Sequence, residues 1–106
     1  MANKSSSNVG LVDKSISSLS GSSQLLMAEN ETRGALLIMN TGTNNIGIAF
    51  AALGSTATAS IGSAGTYTIV PNGSYVGGDG GFIPTNAIYV IGTAGQPVTA
   101  SETVNA

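Results

Sequence analysis

Glu29 and Glu31 stand two residues apart in a chain of 106. On a strand, that spacing puts both carboxylates on one face, where a pair can bind a cation or serve as acid and base. Asp13 and Asp79 are the acids left to complete such a site, and no spacing ties them to the pair. A solvated turn ahead of a strand is the simpler account. Arg33 follows closely and opens the strongest apolar run of the chain. A guanidinium beside a buried strand calls for an acceptor. Two arrangements are open to it: a carboxylate across a subunit boundary, or Glu29, Glu31 or Glu102 within its own domain.

Nucleophilic and metal chemistry have fewer parts still. There is no His and no Cys, which removes the commonest general base, the commonest metal ligand and the thiolate nucleophile. Serine and threonine are abundant, yet no motif sets a His or Lys base beside any of them. Gly77-Gly78-Asp79-Gly80-Gly81 has the composition of a ligand loop. It lacks the Lys-Ser/Thr of a phosphate-binding loop, and it matches one fragment of a calcium β-roll repeat without a second copy. It reads as a hairpin tip. Asn3-Lys4-Ser5, Asn30-Glu31-Thr32 and Asn72-Gly73-Ser74 fit the glycosylation pattern, but in a chain so rich in Asn and Ser they read as chance. The expectation is a protein that is not an enzyme, with no catalytic residue, no metal site and no cofactor.

Composition narrows the class. Hydrophobic residues make up 42%, enough for one core, while charged residues make up only 8% against about 25% in an ordinary domain. Three cations and a net charge of −2 cannot form the basic stripe that nucleic acid requires. The first residues carry no apolar h-region, and no apolar run approaches the roughly 18 residues of a spanning helix. The expected partners therefore include neither nucleic acid nor membrane.

The elements that would position any site are strands. Apolar runs at Arg33–Asn40, Asn45–Ala51, Tyr67–Val70, Ala87–Ile91 and Gln96–Val104 are punctuated by Gly, Asn and Pro. Short strands at that spacing indicate an all-β fold, a small antiparallel β-sandwich, jelly-roll-like in type. In Asn45–Ala51, Ile46, Ile48 and Phe50 fall on one face, with Gly47, Ala49 and Ala51 on the other. Pro71-Asn72-Gly73 predicts a type I′ hairpin turn. Residues 1–23 hold nine of the fourteen serines and few apolar residues, so they separate from the domain at 24–106. They read as a flexible tail, or as an extended arm whose Val9, Leu11, Val12, Ile16 and Leu19 dock on a neighbouring subunit.

Two strands are apolar on both faces. Arg33–Asn40 has Ala35, Leu37 and Met39 on one side and Leu36 and Ile38 on the other; Ala87–Ile91 sets Ile88 and Val90 against Ala87, Tyr89 and Ile91. An antiparallel sandwich normally shows water one face of each sheet. Here the outer faces need a cover, either the chain's own loops or arm, or another subunit, and the scarcity of surface charge favours the subunit. The candidate interface is Val9, Leu11, Ile16, Leu19, Arg33, Leu37, Met39, Tyr89 and Ile91.

Several of these strings, in this order, resemble small β-sandwich structural proteins of tailed bacteriophages: Gln24-Leu25-Leu26-Met27-Ala28-x-Asn30, Arg33-x-x-Leu36-x-Ile38-x-Asn40, Tyr67 to Tyr75, Ile83 to Val90 and Gly92 to Thr99. The likeness spans about 80 residues. It implies a virion component found at the capsid surface and made in the host cytoplasm. It further implies a cement or decoration protein that forms a homo-oligomer, a trimer being the natural closed unit, and binds the major capsid protein. The alternative is a tail, baseplate or fibre component, or a glycan-binding module using the Gly77–Gly81 loop with Tyr75 or Tyr89.

Overall fold

The computed structural model describes residues 9–77 and 83–105. Eight strands run in chain order: β1 (Val9–Asp13), β2 (Gln24–Met27), β3 (Arg33–Met39), β4 (Ile46–Phe50), β5 (Thr66–Ile69), β6 (Ser74–Gly77), β7 (Ile88–Ile91) and β8 (Thr99–Asn105). They form two four-stranded antiparallel sheets, ordered β1-β8-β3-β6 and β2-β7-β4-β5. The expected all-β sandwich is what the chain adopts.

Alternation builds the core between the sheets. Leu36, Ile38 and Ala100 point inward from the first sheet, and Leu26, Ile46, Ile48, Ile88 and Val90 from the second; all are buried. Each large aliphatic so placed stabilises the fold by roughly 1.5–3 kcal/mol.

Residues 9–23 depart from expectation. They continue the sandwich: β1 pairs with β8 from Val9↔Asn105 to Asp13↔Ser101, and Ile16 bridges Val98. The backbone amide of Leu19 then donates to the Gln96 carbonyl at 2.8 Å. The start of the Ser-rich segment takes the edge of β8, and its backbone amides beyond β1 find partners in the Ala100, Val98 and Gln96 carbonyls and in nearby side chains such as Asp13, Gln24 and Ser20. An arm leaving the domain at residue 24 does not describe residues 9–23. Residues 1–8 lie outside the described region.

The turn at Pro71-Asn72-Gly73 also differs. Asn72 has φ 66°, whereas Gly73 is not left-handed, and the Gly73 amide donates to the Val70 carbonyl at 2.8 Å. That is a type II turn, with proline's fixed φ at its second position and the positive φ at its third. It joins β5 of the second sheet to β6 of the first, so it is a corner between sheets and not a hairpin.

Candidate functional site

Hydrogen-bonded pairing places the outward side chains of the first sheet in rows. Leu11, Thr103 and Ala35 form one; Asp13, Ser101, Leu37 and Val76 form the next; Thr99, Met39 and Ser74 form the third. Leu11 is 74% exposed, Val76 58%, Leu37 39% and Met39 36%. These are large apolar side chains left exposed among the described residues. Leu37 and Val76 stand side by side as a ridge. Between them and Leu11 runs a groove of about 540 Å³, floored by Ala35, Ser101 and Thr103. Asp13 at the rim is the charged side chain of these rows, and hydrogen bonds from the Ser15 hydroxyl and backbone amide hold its carboxyl below its ordinary range.

The outer face of the second sheet is built differently. Gly47, Ala49 and Ala51 point away from the core yet are buried. The segment 52–65 crosses over them. Its Gly54 amide donates to Glu29 Oε1 at 2.8 Å, and its Ala59 amide donates to Ser23 Oγ at 2.8 Å. A Cβ at Gly47 would stand 2.6 Å from Thr66 Cγ2 of the neighbouring β5 and 3.1 Å from Ile61 Cγ1 of the covering segment, so Ile61 lies close on the backbone there. Tyr89 and Ile91 belong to this face and are half-buried.

The nine candidate interface residues therefore divide. Leu11, Leu37 and Met39 lie on the open face, and Val9 shares their strand register, its side chain lying outside the described set. Ile16 and Leu19 instead pack into their own core, Leu19 at 2% exposure. Once β1 follows β8, the continuing chain turns those side chains between the sheets, and they are not free for a neighbour.

Arg33 is also internal, at 3% exposure. Its Nε donates to Glu102 Oε1 at 2.6 Å, and its terminal nitrogens donate to the carbonyls of Pro84 (2.6 Å), Asn86 (3.1 Å) and Ala28 (2.9 Å). Lys14 Nζ approaches Glu102 Oε2 at 3.9 Å. Of the two arrangements open to Arg33, the chain uses the internal clamp, with Glu102 as partner. It ties the start of β3 to β8 and to the loops after β2 and before β7, at one end of the second sheet.

Glu29 and Glu31 sit in the loop before β3 and are exposed, Glu29 being engaged with the segment 52–65. Among the described residues, no three acidic groups come together as a metal site. Asn30 Oδ1 accepts from the Thr32 amide and hydroxyl, a local turn. Of the Gly77–Gly81 loop, all but Gly77 lies outside the described residues.

Sequence reasoning missed two features. Asn40 is wholly buried at the end of β3: its Nδ2 donates to the Asn44 and Ile69 carbonyls, and its Oδ1 accepts from the Gly42 amide and Gln96 Nε2. An Asn closing a strand reads as a turn residue, and no local signal marks it as a hub. Gln96 Oε1 is buried and has no partner among the described residues. The second feature is aromatic. Phe50 meets Tyr67 edge-on at 5.9 Å between ring centroids and Tyr75 at 5.6 Å, lining a cleft of about 410 Å³ with Pro84 and Asn86. Tyr75 thus belongs with Tyr67, while Tyr89 is on the outer face of the other sheet.

No family model matches the chain, and no curated protein does. The fold has a solved counterpart. It comes from Bacillus endospore appendages, a novel family of disulfide-linked pili, with a TM-score of 0.50 and 16% identity over 92% of this chain and 88% of that one. At that identity the likeness is one of fold.

Proposed function

We propose that this chain is a non-catalytic structural subunit that assembles with copies of itself. The observation that carries this is the open apolar face of the first sheet, with Leu11, Leu37, Met39 and Val76 exposed, whereas the outward residues of β4 in the other sheet are buried. Contiguous exposed apolar surface of this kind marks an interaction site. The fold shared with a protein of disulfide-linked pili supports an assembling role. This chain has no Cys, so its contacts would be non-covalent and would gain strength from repetition over a symmetric array.

A shell-binding cement at a virion surface is the narrower form suggested by the sequence resemblance; a filament subunit is the form suggested by the fold. Electron microscopy of the purified chain with mass measurement across concentration tests the shared claim. Oligomers from the dimer upward are expected, and a monomer at every concentration overturns it. Quantitative mass spectrometry of purified virions then tests the cement role, which requires copies on the order of the major capsid protein.

The aromatic cleft favours a second reading, binding of a neutral glycan. Tyrosine rings offer an apolar face and a hydroxyl together, and Asn86 adds an amide. Chemical-shift changes with neutral oligosaccharides, lost in Tyr75→Ala, are its expected signature; no change with the native chain removes it.

A further inference from the structure

We infer that the open face of the first sheet packs against the same face of a second copy, related by a two-fold axis. This rests on the self-assembling role proposed above and specifies its surface.

Shape is the first argument. The Leu37–Val76 ridge lies beside a groove floored by the smaller Ala35, Ser101 and Thr103, with Leu11 as the far wall. A two-fold rotation lays each ridge into the other copy's groove. An isologous contact of this kind needs one patch that is complementary to itself. A ridge beside a groove on one sheet meets that requirement.

Side-chain size is the second. Where this chain covers β4, the strand's outward residues and the next one are Gly47, Ala49 and Ala51, and Ile61 of the covering segment comes close to the Gly47 backbone. The open face carries Leu11, Leu37, Met39 and Val76 instead. Large side chains on a pleated surface suit a second sheet standing about 10 Å away, with the two sets interdigitated.

Charge is the third. The central rows hold Thr103, Ala35, Ser101, Leu37 and Val76, all uncharged, and Asp13 stays at the rim. Apposing two identical charged patches would set like charges together, whereas a neutral patch carries no such penalty. A strongly charged partner would find no complement there.

The area sets the expected strength. Strands of five, seven, seven and four residues, at about 3.3 Å per residue and about 4.8 Å apart, give a footprint on the order of 360 Å² per copy. Two such faces together fall below the standard size of a specific interface, so the pair should be weak and concentration-dependent.

Sedimentation equilibrium of the full chain over a wide concentration range, with melting curves to confirm folding, tests this. The native chain should associate. Leu37→Lys and Val76→Glu, both on exposed positions, should each weaken association by about tenfold or more, and mixing the two variants should restore it. Val70→Lys, exposed on the β5–β6 corner, should change nothing. If the native chain associates and Leu37→Lys associates equally well, the face assignment is overturned while self-assembly stands. Association broken by Val70→Lys alone would move the contact to that corner. A native chain that stays monomeric throughout overturns both.

Discussion

The two sheets of this sandwich are alike in strand number and pairing, and they treat their outer faces in opposite ways. On the second sheet, β4 presents Gly47 and Ala49, followed by Ala51, and the chain lays residues 52–65 across them. On the first, β3 presents Ala35, Leu37 and Met39, and among the described residues Leu37 and Met39 stay exposed. Small outward residues allow a covering segment to reach the backbone, so a single loop can exclude water. Large ones hold any cover at side-chain distance and call for a broad opposing surface. Residue size on the outward side of a central strand thus separates β4, closed over by its own chain, from β3, left open for another surface.

The largest expected effect comes from the residue that links the two sheets. Arg33→Met would leave Glu102 buried with its principal partner gone and would free three loop carbonyls. Breaking a buried pair from one side costs about 3–5 kcal/mol, a large part of a small domain's stability. Denaturant titration should show that loss, and a shift under about 1 kcal/mol would mean that Lys14 compensates Glu102 alone. Next comes Gly47→Val, which attacks the cover itself. Its side chain would collide with Thr66 and Ile61, an overpacking cost of roughly 1–3 kcal/mol. The cover should lift, speeding hydrogen exchange of the Ala59 amide now bonded to Ser23. Unchanged exchange there would show that small outward residues are not what admits the cover.

Much of this contrast was legible in the sequence. The runs containing β3, β4, β5, β7 and β8 announce themselves by alternation, and both faces of Arg33–Asn40 were assigned correctly. The small face of β4 was equally visible. What covers it was not, because residues 52–65 are held by two side chains, Glu29 and Ser23, far away in sequence. β1, β2 and β6 were missed because each is only four or five residues long, too short for alternation to stand out from the polar and glycine-rich sequence around it. Ile16 and Leu19 looked like docking residues because the backbone pairing with β8 that buries them leaves no mark in side-chain chemistry. Spacing could offer Arg33 three carboxylates but could not choose among them, since Glu102 lies 69 residues away.

The smallest effect belongs to Asp13, the charge at the rim of the open face. Hydrogen bonds from Ser15, its hydroxyl first and its amide second, lower the carboxyl's pKa in the folded chain. A lowered folded-state pKa means that the unfolded chain binds the proton more readily. The stabilisation is therefore present above the ordinary carboxylate range and disappears as pH falls through the lowered value. Because Asp13 is exposed, solvent screens the interaction and the contribution is slight. Asp13→Asn keeps an acceptor for the Ser15 amide and removes only the charge. Its melting temperature should fall just below that of the native chain near neutral pH and converge with it in strong acid. A gap that widens toward acid would carry the wrong sign for this pair. Convergence, together with tighter self-association of Asp13→Asn at neutral pH, would place two like charges near each other in the pair and tie this rim residue to the open face.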